Sequence, residues 1–167
     1  MCSREPELQR YFVDPGRAKR DNDRNVSAVY VLVDTERDER IAGFFAISNT
    51  SIFPTQLPNN IKKKLNLYDH WGALRLGRMA RHDDYAGLDL GLILVARAFS
   101  TALAIAEHTG SVALVVDAKN DALVSWYSKA GFQALIDTPR TLYIMNRTMA
   151  AYLDVFVERS LQPRPAT

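Results

Sequence analysis

The chain has 167 residues, of which 47% are hydrophobic and 24% are charged, and its formal net charge is +2. Single domains usually run to about 100 to 200 residues, and disordered chains are poorer in apolar residues, so the composition favours one globular domain and excludes disorder. This small net charge is far from the strongly basic charge of a dedicated nucleic-acid-binding protein, so the composition does not indicate that class.

The beginning of the chain predicts two short elements and a β-hairpin. Glu5–Phe12 predicts a short helix, and the polar segment Asp14–Asn25 predicts a second helix or an ordered loop. Ser27–Asp34 is rich in β-branched and aromatic residues, and a charged turn separates it from the apolar run Ile41–Ile47. This pattern predicts two antiparallel strands.

A crossover helix and an unusual strand are predicted next. Leu57–Leu67 has helical spacing with its lysines on one side. Ala73–Arg81 alternates small or apolar residues with arginine, and Gly77 within it predicts a bulged strand. The polar segment His82–Gly91 then predicts a turn.

The next three elements alternate between helix and strand. A long apolar helix is predicted from about Gly91 and ends at Gly110. Val112–Val116 is an apolar, β-branched run typical of a strand covered on both faces. Asn120 predicts the N-cap of a second helix, which Gly131 ends.

Two strands and a helix complete the predicted fold. Phe132–Ile136 and Leu142–Met145 predict the last strands, and Met149–Leu161 predicts a terminal helix. The order of elements indicates an α/β protein with a mixed sheet. We expect a single domain over residues 1–161 and a flexible tail at 162–167.

The cysteine and histidine residues predict neither a disulfide nor a metal site. Cys2 is the only cysteine, which fits a reducing cytoplasm. His70, His82 and His108 lack the spacing of paired metal ligands. No apolar run reaches the roughly 18 residues of a membrane span, and residues 1–5 lack the apolar stretch of a secretion signal, so neither a span nor a signal is expected. We expect a cytoplasmic protein without a membrane contact.

The strand, turn and helix between Leu76 and the segment after Gly91 could carry chemistry. A glycine-containing turn of this kind points backbone amides and the positive end of a helix dipole at one place, which suits a diphosphate. Many α/β proteins contain such a turn for structural reasons. Tyr127, next to Trp126, is likewise compatible with a packed core aromatic.

The two segments together resemble the GNAT N-acetyltransferases. Leu76–Arg81 and its turn are followed by Val115–Asn120 and then by Ser125–Phe132, whose Tyr-x-x-x-Gly-Phe ending is typical of that family. Within the family, Leu76–Arg81, Val116–Lys119 and Trp126-Tyr127 resemble the toxin branch, which acetylates the amino acid carried on a transfer RNA. The resemblance implies the GNAT fold, a mixed and mostly antiparallel sheet with a bulged central strand and flanking helices.

The resemblance also implies acetyl-coenzyme A as cosubstrate and a role for particular residues. Tyr127 is implied to protonate the departing thiolate, with direct transfer and no covalent enzyme intermediate. A tyrosine is suited to this because its pKa of about 10 keeps it protonated near neutrality. The implied coenzyme-binding residues are Met79, Ala80, Arg81, Ala86, Gly87, Leu88, Asp89, Leu90, Gly91 and Asn120. Phosphates of the aminoacyl-tRNA acceptor are expected at Arg75, Arg78, Lys62, Lys63 and Lys64.

The turn departs from the family pattern, in which a polar residue, an arginine and a middle glycine stand where this chain has Ala86, Leu88 and Asp89. An aspartate adds a side chain and a negative charge beside an anionic ligand, unless it points to solvent as a helix cap. Two alternatives therefore stay open: a GNAT-fold binding module with weakened or lost catalysis, and an acetyltransferase for a small amine or a protein N-terminus. The implied partners are a ribbon-helix-helix antitoxin and a second copy of the chain.

Overall fold

The computed structural model describes residues 6–14, 16–63 and 68–161. Lys64, the end of the predicted 57–67 helix and the tail at 162–167 lie outside these residues. The described helices are α1 (Pro6–Val13), α2 (Arg17–Asp23), α3 (Asn59–Lys62), α4 (Leu90–Thr109), α5 (Asp121–Lys129) and α6 (Asn146–Leu161). The described strands are β1 (Ala28–Asp34), β2 (Arg40–Ile52), β3 (Trp71–Arg81), β4 (Ala113–Asp117), β5 (Gln133–Ala134) and β6 (Thr141–Met145). Short 3-10 turns occupy Pro54–Gln56 and Asp83–Tyr85.

The strands form one sheet in the order β1-β2-β3-β4-β6-β5. Neighbouring strands are antiparallel except β3 and β4, which are parallel. Helices cover both faces, so the structure confirms the predicted α/β class with a mixed, mostly antiparallel sheet.

The central strand β3 contains the predicted bulge. Along the β2–β3 ladder, Ala46 pairs with Arg78 and Ile47 pairs with Leu76, so Gly77 is an extra residue on β3. The parallel β3–β4 ladder joins three residue pairs and stops at Leu76, directly before the bulge. The two central strands therefore separate from Gly77 onward, and a wedge opens between them.

The largest part of the core lies on the sheet face that α4 and α6 cover. Leu94 and Phe99 of α4 pack there with Leu114 and Leu142 of the sheet and with Met149 of α6, and all five are buried. Burying each side chain of this size contributes roughly 1.5 to 3 kcal/mol. The cluster fixes α4 against the sheet and thereby fixes where this helix begins.

Two separate segments cover the opposite face. Phe12 of α1 stacks on Phe44 of β2, with the ring centroids 4.6 Å apart. At the other end of the sheet, Leu57 and Ile61, from the segment after β2, pack in a second cluster with Trp71 at the start of β3. Consequently α1 lies beside the second half of β3, where the wedge opens.

Helix α4 is long and apolar enough to cross a membrane if only its length and composition are considered. In the structure, Val95, Ala98 and Phe99 are fully buried among the sheet and α6. This face of α4 belongs to the protein core, and 39% of the apolar stretch of the helix is buried in the structure.

Several elements differ from their predicted bounds. β2 continues past Ile47 to Ile52, because Ser48–Ser51 pair with Gly72–Arg75 although their side chains are those of a loop. β5 has two residues rather than the predicted Phe132–Ile136. In addition, α6 begins at Asn146, directly after β6 and before the predicted start at Met149, and α3 has four described residues.

Candidate active site

A cavity of about 510 Å³ occupies the wedge between β3 and β4. The bulged half of β3 forms one wall, and α5 with the end of β4 forms the other. The turn before α4 closes one end, and Leu8 of α1 also lines the cavity. Three cations, Arg78, Arg81 and Lys119, and two carboxylates, Asp89 and Asp117, line it, so the cavity is polar at its rim.

The β3 wall offers backbone atoms to the cavity. Met79, Ala80 and Arg81, three of the predicted coenzyme-binding residues, line it, and the β3–β4 ladder ends before them. A Cβ atom placed on Gly77 would meet no heavy atom within 4 Å, so the bulge leaves open space. An extended ligand can therefore lie along this edge of β3 and pair with its main chain.

The turn before α4 presents free amides to the end of the cavity. Gly87, Asp89, Leu90 and Gly91 line the cavity, and their N–H groups donate to no described residue. These amides lie in the first turn of a 20-residue helix, where the helix dipole is positive. The arrangement can bind an anion such as a diphosphate.

Asp89 occupies the N-cap position of α4 without capping it. Its backbone is left-handed, with φ 51° and ψ 19°, and its carboxylate accepts no hydrogen bond from the helix. Gly87 also has a positive φ, 81°. A glycine adopts this conformation without strain, and aspartate is one of the few other residues that tolerates it. The backbone thus keeps the shape of a glycine turn, while the exposed carboxylate adds a negative charge at the anion-binding end.

Tyr127 lies in the opposite wall and is 7% exposed. Its ring packs edge-on against Phe132, with the centroids 5.3 Å apart, and against Trp126 at 5.0 Å. Burial raises the pKa of Tyr127 to about 12. Among the described residues its hydroxyl finds no hydrogen-bond partner, so the proton is available to a bound molecule.

The start of α4 approaches α5 closely. A Cβ atom on Gly91 would lie 3.2 Å from Cζ2 of Trp126, so glycine permits this contact. The packing brings the wall that contains Tyr127 next to the free amides at the end of the cavity.

Four further predicted residues lie outside the cavity wall. Ala86 and Leu88 are exposed at the outer side of the turn. Asn120 caps α5 as predicted, since its Oδ1 accepts a hydrogen bond of 2.9 Å from the amide of Leu123. Arg75 forms an ion pair with Asp117 and donates to Thr50 at 3.3 Å.

The predicted acceptor residues are spread over two regions. Arg78 lines the cavity and places its guanidinium 4.0 Å from the ring centre of Tyr11. Lys62 and Lys63 follow Ile61, which packs at the far end of β3 from the cavity. Arg78 is therefore the predicted acceptor residue that the cavity includes.

Lys119 and Leu8 line the cavity although the sequence did not indicate them as site residues. Lys119 also forms a 2.8 Å ion pair with Glu7 of α1, which ties this helix to the segment after β4. The contact joins positions 112 residues apart in the chain, and no local sequence pattern signals it.

No protein-family model matches the chain. Solved structures share its fold. AtaT complexed with acetyl-methionyl-tRNAfMet has a TM-score of 0.81 and 20% identity, over 90% of this chain and 88% of that chain. A tyrosine-to-phenylalanine mutant of KacT has a TM-score of 0.79 and 22% identity, over 89% of this chain and 86% of that chain. AtaTR bound with acetyl-coenzyme A has a TM-score of 0.71 and 20% identity, over 90% and 87% of the respective chains. The chain therefore has the fold of the GNAT-like toxins KacT and AtaT, as its sequence predicts.

Proposed function

We propose that the protein is an acetyl-coenzyme A-dependent N-acetyltransferase toxin that transfers acetyl to the amino group of an aminoacyl-tRNA and thereby blocks translation. One observation carries the proposal: a single cavity joins free helix N-terminal amides, an unpaired strand edge and the largely buried side chain of Tyr127. These are the features needed to bind a diphosphate, an extended thioester arm and a departing thiolate.

The main chain fits the coenzyme. The amides of Gly87 and Asp89–Gly91 bind the diphosphate, and the edge of β3 at Met79–Arg81 pairs with the pantetheine arm. The bulge at Gly77 leaves room for the arm. Asn120, which caps α5, is proposed to contact the same arm through groups that the cap leaves unused.

Bound acetyl-coenzyme A supplies an acetyl thioester. The neutral amine of the acceptor attacks its carbonyl carbon, so that a carbon–nitrogen bond forms and the carbon–sulfur bond breaks. Tyr127 donates its proton to the departing sulfur and recovers one from the amine through solvent. Burial raises the pKa of Tyr127 to about 12, so the side chain holds its proton at neutral pH until the departing sulfur accepts it.

Basic side chains support a nucleic-acid acceptor. Arg78 lies at the cavity, where it can contact a phosphate close to the reacting amine. Lys62 and Lys63 are proposed to contact a more distant part of a large acceptor. Arg75, which Asp117 neutralises, is proposed to add a weaker contact. The match to AtaT in complex with acetyl-methionyl-tRNAfMet supports this class of acceptor.

The proposed partners follow from the same comparisons. AtaT binds the C-terminus of the antitoxin AtaR, and KacTA forms a complex with DNA. We propose that this chain likewise pairs with a cognate antitoxin, of the ribbon-helix-helix type, and that it forms a homodimer. We also propose that it acts in the cytoplasm.

Calorimetric titration with acetyl-coenzyme A tests the coenzyme site, and thiol release with charged tRNAs tests the acceptor. The proposal predicts micromolar binding and release of coenzyme A that requires the aminoacyl group. Uncharged tRNA is the matched control. Release of coenzyme A with a small amine or a peptide N-terminus, but not with charged tRNA, would show that the acceptor belongs to another class. The proposed coenzyme site would still stand.

Asp89 favours a second candidate function, a binding module with weakened catalysis. Its carboxylate lies at the end of the cavity that the diphosphate must occupy. The binding-module function predicts that the natural chain does not bind acetyl-coenzyme A and that Asp89→Gly restores binding. Measurable binding by the natural chain excludes it.

A further inference from the structure

The turn before α4 is attached to the β1–β2 hairpin by a buried tyrosine. Tyr85 lies in the 3-10 turn directly before the free amides and is 6% exposed. Its ring packs with Ala42 of β2 and with Leu90, the first residue of α4. Its hydroxyl donates a hydrogen bond of 2.8 Å to Oδ2 of Asp34, at the end of β1.

Other side chains attach the same turn to the same hairpin. Nη1 of Arg40 lies 2.8 Å from Oδ2 of Asp84, and its Nη2 lies 3.4 Å from Nε2 of His82. Arg37 places its guanidinium 5.6 Å from the ring centre of Tyr85 and lies 3.8 Å from Asp34. The hairpin thus holds the turn through several side chains, and one of the residues it contacts, Tyr85, also lines the cavity.

This attachment compensates for what the turn lacks. Asp89 has a left-handed backbone, which aspartate tolerates less readily than glycine, and its side chain makes no cap bond. A turn with these features is held by contacts from outside. Amides bind an anion tightly only if they are already fixed in the binding geometry, because otherwise binding must order them.

We infer that Tyr85 and Asp34 are positioning residues that fix the diphosphate-binding amides through the hydrogen bond between their side chains. The inference rests on the proposed function, since it concerns the coenzyme site. The Tyr85 ring lines the cavity, but its hydroxyl donates to Asp34, so Tyr85→Phe keeps the ring and tests only the effect of this bond on the backbone of the turn. Burial and the bond to Asp34 both raise the pKa of Tyr85, which keeps the proton on the donor.

The inference predicts a loss of affinity only for ligands that carry the diphosphate. Tyr85→Phe removes the bond and keeps the ring, whereas Asp34→Asn keeps the side-chain shape and leaves only a neutral acceptor. Tyr85→Phe is expected to weaken acetyl-coenzyme A binding about ten-fold, the size of a lost hydrogen bond to a charged group, and Asp34→Asn is expected to weaken it by less. Binding of acetyl-pantetheine, which lacks the diphosphate, is expected to stay unchanged, and the double variant is expected to lose no more than Tyr85→Phe alone.

Tyr143→Phe is the matched control. Its hydroxyl also bonds to a side chain, Oε1 of Gln133 at 3.0 Å, and its ring is buried, but it does not line the cavity. It is expected to leave both affinities unchanged. Amide hydrogen exchange at 86–91 is expected to become faster in the Tyr85 and Asp34 variants and to remain slow in the control. If Tyr85→Phe does not fold, the affinities and the hydrogen exchange of Asp34→Asn provide the test.

Two results would overturn the inference. One is natural affinity for acetyl-coenzyme A in both variants, and the other is an equal loss for acetyl-coenzyme A and acetyl-pantetheine, which would indicate general destabilisation. A natural chain that binds neither compound refutes the proposed function and with it the inference. If the natural chain binds acetyl-coenzyme A and one of the two overturning results is found for the variants, the inference fails while the proposed function stands.

Discussion

Replacing Tyr127 with phenylalanine separates chemistry from packing, because it removes only the hydroxyl. The ring contacts with Trp126 and Phe132 remain. The hydroxyl has no hydrogen-bond partner among the described residues, so its removal leaves no group unpaired there. The variant is therefore expected to fold as stably as the natural chain at neutral pH.

The burial of the Tyr127 side chain predicts a pH-dependent difference in the free energy of unfolding. Tyr127 has a pKa of about 12 in the folded chain, against about 10 for an unfolded tyrosine. Because the folded pKa is the higher one, its stabilising contribution is complete below about pH 10 and is lost as the pH rises through about 12. At about pH 11 the natural chain should have lost about 1.4 kcal/mol that the phenylalanine variant keeps.

Urea unfolding of both proteins at pH 7 and at pH 11 measures this difference, since the other titrating groups are common to both. The variant should gain about 1.4 kcal/mol relative to the natural chain between the two pH values. In acetyl transfer near pH 7.5, its kcat should fall about 10²- to 10⁴-fold with the affinity for acetyl-coenzyme A unchanged. A stability difference that is independent of pH would refute the burial argument, and an unchanged kcat would refute the acid role.

Three other substitutions test separate parts of the cavity. Gly77→Leu should fold but lose at least about 100-fold in acetyl-coenzyme A affinity by calorimetry, because its side chain enters the open space of the bulge. Gly72→Leu on the same strand, where the nearest atom to a Cβ is 3.8 Å away, should bind normally. Asp89→Gly should tighten coenzyme binding about ten-fold, with the gain shrinking as salt is raised, and an equal gain at high salt would contradict a charge effect. Arg78→Ala should weaken charged-tRNA binding and lower the slope of log K against log salt concentration by about the amount of one phosphate contact. An unchanged slope would mean that Arg78 does not make the phosphate contact.

Features with a local physical cause could be predicted from the sequence. A glycine among alternating residues predicts a bulge, and the register of β3 places the extra residue at Gly77. Asn120 before a helical segment predicts a cap, and its side chain makes one. The long apolar helix follows in the same way from its spacing and from Gly110, which ends it in a left-handed conformation.

Features that depend on distant pairing could not be predicted. Ser48–Ser51 have the composition of a loop, and they form a strand because β3 supplies partners for their backbone. Conversely, Phe132–Ile136 is apolar, but only two of its residues pair with β6.

The candidate site divides in the same way. The segment Met79–Arg81 and the turn up to Gly91 are contiguous and could be identified. The hydrogen bond between Tyr85 and Asp34 joins residues 51 positions apart, and no local pattern signals it. The outward position of Leu88 depends on the backbone of the folded turn.

The walls of the cavity are built largely from main chain, namely a strand edge, a bulge and the free amides of a helix start. Main-chain groups are the same whatever the side chains, so selection on such a surface constrains backbone conformation more than residue identity. A chain can then replace most of its side chains and retain the cavity, which is consistent with a TM-score of 0.81 at 20% identity and with the absence of a matching family model. Searches for distant proteins of this kind should therefore compare backbone features, such as a register shift beside a parallel ladder of three pairs, before they compare residues.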